Sequence, residues 1–527
     1  MPITEALADH ASAHPGRTAF VCAGESPTYA ELADAALAFA HRLGAFAGGG
    51  RALVPGYGPQ HVVALSVHNS ADFVRAYAGA TASPLATAVL DPTWPERRAA
   101  DALAQLRPAV LVTDSPHVAR LAEARGCGAV LVTGPALDTE YEPLAGWTAP
   151  VPGPREATAA SVLGNRHDDQ LFLIGFTSGT TSAPKAFVRT RRSWRVSLPT
   201  SARLLRLEPG ETTVAPGPLS HGLSLYGLTE SLYAGGTFVS APGFQPRACA
   251  ETVAERGATR FIGVPTMLRS LATTAEPGTL KSLRTLVSSG ARLDHAVLDT
   301  LAASCPDARV AEYYGASELS FVTLAETDLC APLEPRTGAA TPVGRPFPGV
   351  ELSVRRPDGK EAAEGEPGTV HLRSPLVCAG YLRPTDGTGL RGDGAWFTVG
   401  DQGFLRDGTL HLLGREGDMI VSGGHNIHPA EVESALLEHP ALTAAHVLGL
   451  PDPRLGSRPV AFVHRTEAAG LTAADLRAHL ADRLPPHRLP RGFRTVADWP
   501  LTTSGKVDAK QILDRMEADD GSVRRLA

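Results

Sequence analysis

Cysteine is scarce: six residues in 527 (Cys22, Cys127, Cys249, Cys305, Cys330 and Cys378), far apart and without any C-x-x-C spacing. That excludes a disulfide frame and a cysteine-built zinc site, and predicts reduced thiols that mostly fill core. Long apolar runs are missing too. None approaches the roughly 20 residues that a membrane-spanning helix requires, and residues 1–10 lack the charged and apolar regions of a signal peptide. A cytoplasmic protein with no membrane span is the expectation. A net charge of -6 spread along the chain leaves no basic patch, which removes the electrostatic footing for a nucleic-acid partner.

A standard P-loop is also absent, although one stretch comes close. After the short apolar run Leu171-Phe172-Leu173-Ile174, a buried strand by its pattern, come Thr177, Ser178, Gly179, Thr180, Thr181, Ser182, Ala183, Pro184 and Lys185. Counted from Gly179, the second glycine of a P-loop falls on Pro184, and Ala186 follows the lysine where a metal-binding hydroxyl belongs. Hydroxyls, small residues and one lysine still leave an open, polar backbone suited to a polyphosphate. The metal ligand must then come from elsewhere in the chain.

At this length two to four folding units are expected. Helical and strand signals alternate through the first 140 residues, with Thr28 and Glu31 as a capping box at the head of an Ala-rich helix. Such alternation predicts α/β layers with parallel strands. Residues 141–165, rich in Pro, Gly, Ala and Thr, are expected to form a loop. The strand-like 260–264 and 285–287 each run into small residues, the second into Ser288, Ser289, Gly290 and Ala291. In open parallel sheets such strand ends are where ligands approach the backbone. Glu312-Tyr313-Tyr314-Gly315-Ala316-Ser317-Glu318 repeats the plan: Tyr314 offers a face for a base, and Glu318 a carboxylate for the magnesium that the first loop cannot hold. A hairpin turning at Asp407-Gly408 precedes a smaller α+β unit. The division is drawn as 1–416 and 417–527, with 521–527 expected to fray.

Seven segments in order, TSGTTSAPKA, PLSHG, SSGA, YYGASE, VGD, GREGDMIVSGGHNIHPAEVE and LTTSGKVD, resemble the adenylate-forming superfamily of acyl-CoA synthetases, nonribosomal adenylation domains and luciferases. The resemblance spans nearly the whole chain. It implies a large AMP-binding domain of stacked α/β layers, a small mobile α+β domain, and a two-step ligase. In the first step a carboxylate attacks the α-phosphate of ATP and pyrophosphate leaves; in the second the acyl-AMP is captured, usually by the thiol of CoA or of a carrier-protein phosphopantetheine.

Carried over by the same resemblance, Thr177, Ser178, Gly179, Thr180, Thr181 and Lys185 grip the β- and γ-phosphates. Ser289, Gly290, Ala291, Tyr313, Tyr314 and Gly315 border the adenine. Asp401 and Arg415 hold the ribose, Ser317 the α-phosphate and Glu318 the Mg2+. Lys506 bridges substrate carboxylate and α-phosphate. Gly417 stands at the hinge of the small domain, and Gly423, Gly424 and His425 line the thiol tunnel. Ser182 and Ala186 replace customary glycines. His221-Gly222-Leu223 stands where amino-acid-activating members carry an aspartate for the α-amino group, which disfavours an α-amino acid. His221, Gly222, Val264, Pro265, Gly290, Ala291, Ala316, Ser320, Phe321 and Val322 make a small, mostly apolar wall, suited to an aliphatic or aromatic acid. Amide synthesis with an amine acceptor, as in natural-product pathways, is the alternative. A noncatalytic nucleotide- or acyl-binding relative is the other function class, but it has no need of Lys185 and Lys506 with Glu318 between them.

Overall fold

The protein is described here by a computed structural model covering residues 2–134, 140–151, 167–177, 184–291, 293, 295–333, 340–383, 389–417, 419–422, 425–465, 470–502 and 505–526. The Thr28 capping box forms: the Thr28 hydroxyl accepts from the Glu31 amide at 3.2 Å, and the Glu31 carboxylate accepts from the Thr28 amide at 2.8 Å. It opens the helix Tyr29–Leu43, which lies against Ala71–Ala82. Ala71–Ala82 is buried on nearly every side because it is enclosed between two sheets, whereas Tyr29–Leu43 keeps Glu31 and His41 exposed on its outer face. Leu32, Ala36, Phe39, Phe73 and Tyr77 share one core with Val63 and Phe172 on one side and Phe238, Ile262 and Val287 on the other.

The first sheet runs, among the described residues, Gly380–Tyr381, Ala186–Thr190, Leu171–Phe176, Ala86–Val89, Val62–Ser66, Val110–Thr113, Ala129–Val132 and Glu142–Pro143. Its interior is parallel, and the phosphate-loop candidate is the connection of its antiparallel hairpin. The second sheet begins with parallel Phe20–Val21, Thr237–Val239, Thr212–Val214, Arg260–Ile262, Thr285–Ser289 and Arg309–Ala316. It turns antiparallel at Ser320–Asp328 and continues through Thr341–Pro346 into the hairpin Asp401–Arg406 and Thr409–Arg415. Both sheets therefore deliver the ends of their parallel strands toward one region, which positions the site.

The small C-terminal domain carries its own sheet, in which Gly456–Arg465 is flanked by Leu442–Asp452, Gly492–Val496 and Ile420–Ser422. Two expectations are corrected. The segment 521–527 does not fray in its described part: Val523–Arg525 pairs with Gly492–Val496 as an edge strand, and Val523 packs with Val460, Phe462 and Ile512. Nor are residues 141–151 a bare loop. Leu144–Thr148 is a short helix whose Trp147 lies 6.1 Å from Phe39, so one indole carries the segment onto the core. Four of the six cysteines are buried, and burial pushes the Cys305 thiol up to about 12 and Cys378 to about 11. They are packing groups rather than nucleophiles. No helix among the described residues is long and apolar enough to cross a membrane.

Candidate active site

The phosphate-loop candidate is pinned at its two ends. Ala186 pairs with Phe176 across the hairpin, and the Thr177 amide donates to the Lys185 carbonyl at 3.1 Å. The lysine thus emerges beside Thr177 at the end of a strand. Ser178, Gly179, Thr180 and Thr181 lie outside the described residues, as do Gly423 and Gly424 of the proposed thiol tunnel.

The Tyr-Tyr-Gly segment closes a second hairpin, Arg309–Ala316 with Ser320–Asp328, whose register shifts between Tyr314 and Gly315. A Cβ on Gly315 would stand 2.1 Å from the Ser320 carbonyl oxygen, so only glycine permits this approach. The tight turn exposes Ser317 and buries Glu318 one residue later. Tyr381 donates its hydroxyl to Glu318 Oε1 at 2.7 Å, and the Cys378 amide donates to the Glu318 carbonyl at 2.8 Å. Among the described residues no hydrogen bond engages Oε2. A buried carboxylate held by a neutral phenol, with one oxygen left over, has the chemistry of a hard-cation ligand.

Asp401 and Arg415 face each other across the next hairpin. Asp401, 5% exposed, accepts from Arg415 Nε at 2.8 Å and from the Tyr314 hydroxyl. Burial, reinforced by Asp401, holds the Tyr314 phenol well above its ordinary pKa, so it stays a donor. The surrounding protein works to lower Arg415, but Asp401 outweighs it and the guanidinium ends above its usual value. With the Arg415 side chain 55% exposed, such a pair contributes only about 0–1 kcal/mol to stability. Its consequence is geometric: two charged groups and a phenol are fixed on one rim.

The small domain reaches into this rim. Thr266 Oγ1 donates to the Gly505 carbonyl at 3.3 Å, and a Cβ on Gly505 would lie 2.6 Å from Val264 Cγ2. Next to it, Lys506 Cε lies 3.4 Å from where a Cβ on Gly290 would stand. Solvent still reaches the lysine, yet protein crowds it from both domains. That desolvation, and then Arg415, lower its pKa from the ordinary lysine value, with Glu318 opposing. Lys506, Arg415 and Glu318 therefore share one electrostatic neighbourhood, although they come from separate hairpins and domains. Ser289 joins the rim by donating to the Tyr313 carbonyl at 2.9 Å.

The expected acid wall is only partly assembled. Val264 is nearly buried under Gly505 and Gly290. Phe321 sits in an aromatic cluster with Tyr313, Tyr226 and Phe347 at 4.5, 5.0 and 4.8 Å, and Val322 is fully buried; both belong to the core. His221 is the residue before the helix Gly222–Ala234 and pairs through Nε2 with Asp91 Oδ2 at 3.4 Å. Burial works to raise Asp91, but hydrogen bonds from His221 and Thr93 outweigh it and bring the carboxyl down to about 2. His425 lies within the small domain, stacked on His487 at 4.7 Å.

Sequence reasoning missed Asp91, Tyr381 and Arg189. Asp91 sits in Asp91-Pro92-Thr93, a turn signal, and it does form that turn through the Thr93 amide at 2.9 Å; nothing local announces its second partner.

Compared with known proteins, residues 7–382 match the family model described as AMP-binding enzyme, and 431–506 match the AMP-binding enzyme C-terminal domain. A Bacillus subtilis protein described as the uncharacterized acyl-CoA ligase YhfT is 29% identical over 458 residues, which is 86% of this chain and 88% of its own. The crystal structure of ATP-bound MatB from Rhodopseudomonas palustris superposes with a TM-score of 0.83 at 25% identity, over 98% of this chain and 99% of that one. The amide bond synthetase McbA from Marinactinospora thermotolerans gives 0.80 at 27% identity, over 98% and 99%.

Proposed function

Because the chain belongs to the AMP-binding enzyme family, we propose that it activates a small carboxylic acid with ATP, releases pyrophosphate, and passes the acyl group to a thiol, CoA ahead of a carrier-protein phosphopantetheine. The observation that carries this reading is Lys506, brought from the small domain against Gly290 and into the field of Glu318 and Arg415.

In the first step a carboxylate oxygen bonds to the α-phosphorus, and the bond to the pyrophosphate oxygen breaks with its electron pair. Negative charge gathers on the non-bridging oxygens, and preorganised donors offset it. The Lys506 ammonium supplies one donor to both reactants, and the exposed Ser317 hydroxyl another. Lys185, beside the Thr177 amide, holds the phosphates that leave. Asp401 takes the ribose hydroxyls, with Arg415 and Tyr314 keeping its carboxylate in place, and the Tyr314 ring borders the adenine. Glu318 suits Mg2+, which when bound neutralises phosphate charge. Glu318→Gln is expected to raise the magnesium concentration required for half-maximal pyrophosphate release; an unchanged titration removes Glu318 from the site.

The lysine loop docks through a backbone that only glycine tolerates. Gly505 has φ +78°, where an L side chain costs about 1–2 kcal/mol, and its methyl would meet Val264. Gly505→Ala should therefore slow acyl-AMP formation about tenfold while leaving transfer from preformed acyl-AMP to CoA near normal. Loss confined to transfer would count against this docking.

For the acid, the carboxylate nearest His221 is Asp91, already engaged by His221 and Thr93. It is a poor partner for a substrate ammonium, which supports an aliphatic or aromatic acid over an α-amino acid. Likeness to an amide bond synthetase favours an amine acceptor as the second reading. A pyrophosphate-release screen of carboxylic acids, run alone, with CoA and with amines, tests both. Release with an acid and thioester with CoA is expected, and silence across the panel would favour a noncatalytic binding protein. Dependence on ATP and CoA agrees with a cytoplasmic setting.

A further inference from the structure

The two halves of the proposed ATP site sit on different sheets: Thr177 and Lys185 on the hairpin of the first, Glu318 on the turn of the second. Arg189 connects them. It lies four residues beyond Lys185 on Ala186–Thr190, is 4% exposed, and extends past the Phe187 ring at 5.6 Å. One arm of its guanidinium donates to the Ser317 carbonyl at 2.6 Å, the other to the Leu376 carbonyl at 2.6 Å. The Leu376 side leads directly to the remaining restraints on the same turn. Cys378 binds the Glu318 carbonyl, and Tyr381, paired with Phe187 across the strands, binds the Glu318 carboxylate and accepts from the Leu390 amide at 2.9 Å.

Burying a guanidinium against two neutral carbonyls is an expensive way to fill a core position, since an apolar side chain of that volume would pack without desolvating a charge. A fork with two donors in fixed geometry does something that an apolar residue cannot: it sets the spacing of two backbone segments. We propose that Arg189 is a positioning residue that registers the Ser317–Glu318 turn against the phosphate-loop hairpin, so that Glu318 stands at the correct distance from the phosphates to share a divalent cation with them. This rests on the reading of Glu318 as the metal ligand.

The test uses the full chain with Mn2+ as the cation, binding of Mn2+ with a non-hydrolysable ATP analogue followed by electron paramagnetic resonance, and pyrophosphate release in parallel. Arg189→Lys keeps the charge and loses the fork, and Arg189→Met loses both; if the Met variant does not fold, the Lys variant carries the test. Arg189→Lys should weaken Mn2+ binding in the ternary complex roughly tenfold, the scale of a lost hydrogen bond from a charged group. In a Glu318→Gln background the same change should have almost no further effect on Mn2+, because both act through one carboxylate. A residue that only supports the fold would lower the thermal midpoint and multiply its effect in both backgrounds. That result, or wild-type Mn2+ binding in Arg189→Lys while Glu318→Gln is impaired, overturns the proposal. Unchanged Mn2+ binding in Glu318→Gln itself would instead overturn the metal assignment on which the proposal rests.

Discussion

Replacing Lys506 with alanine is expected to slow pyrophosphate release about 10²- to 10³-fold, or about 2.7–4 kcal/mol, the cost of one preorganised donor to a developing oxyanion. ATP binding should persist, because Lys185, Asp401 and Arg415 come from the large domain and keep their own anchors. The split between binding and rate is the decisive reading, since a donor used only in the transition state lowers kcat without weakening the ground-state complex. Near-normal release in the variant would dismiss the assignment. The pH profile adds a second signature. Lys506 donates only as the ammonium, and crowding by protein, then Arg415, lower its pKa. Activity should therefore fall on the alkaline side at a pH below the value of about 10.4 of a free lysine. Lys506→Ala should lose that limb, and Lys506→Arg should push it out of range because guanidinium keeps its proton.

How much of this was legible beforehand depends on sequence distance. The capping box at Thr28, the strand before Thr177 and the hairpin turning at Asp407-Gly408 are local patterns, each formed as the residues imply. The alternation of elements gave the layered architecture, because a strand buried on both faces has to be apolar along its whole length. Pairings between distant segments leave no such imprint. Arg189 meets a carbonyl 128 residues away, Tyr381 a carboxylate 63 residues away, and His221 an aspartate whose local sequence already has a use as a turn. Phe321 and Val322, expected in the acid wall, are packed in the core. An apolar residue beside a catalytic motif can face substrate or core with the same local pattern, and here three aromatic neighbours take Phe321 into the core. The tail was misjudged because its charges, Arg524 and Arg525, stand between two buried positions, Val523 and Leu526, which together dock an edge strand.

Gly417→Pro is expected to leave acyl-AMP formation within a few-fold of wild type and to reduce transfer to CoA by about 10²-fold or more, the scale on which misplacing reacting groups costs rate. The proposed hinge lies between two anchored stretches. Glu416 is tied to the large domain twice, its amide donating to the Gly400 carbonyl at 2.9 Å and its carboxylate accepting from Arg391 at 2.7 Å. The strand Ile420–Ser422 already pairs within the small domain. Any rotation between the domains would therefore be absorbed between these two anchors. At Gly417 a Cβ would meet nothing within 4 Å, so packing in this arrangement does not demand glycine. In the proposed cycle the freedom of its backbone would serve a second arrangement, in which the small domain has turned to present another face for the transfer step. Proline fixes φ near −65° and holds the molecule near one arrangement, whereas Gly417→Ala, for which there is room, should disturb both steps little. Single-turnover pyrophosphate release and transfer from preformed acyl-AMP separate the two. Equal loss in both half-reactions would mean that residue 417 supports the site itself and that the domains turn about some other point.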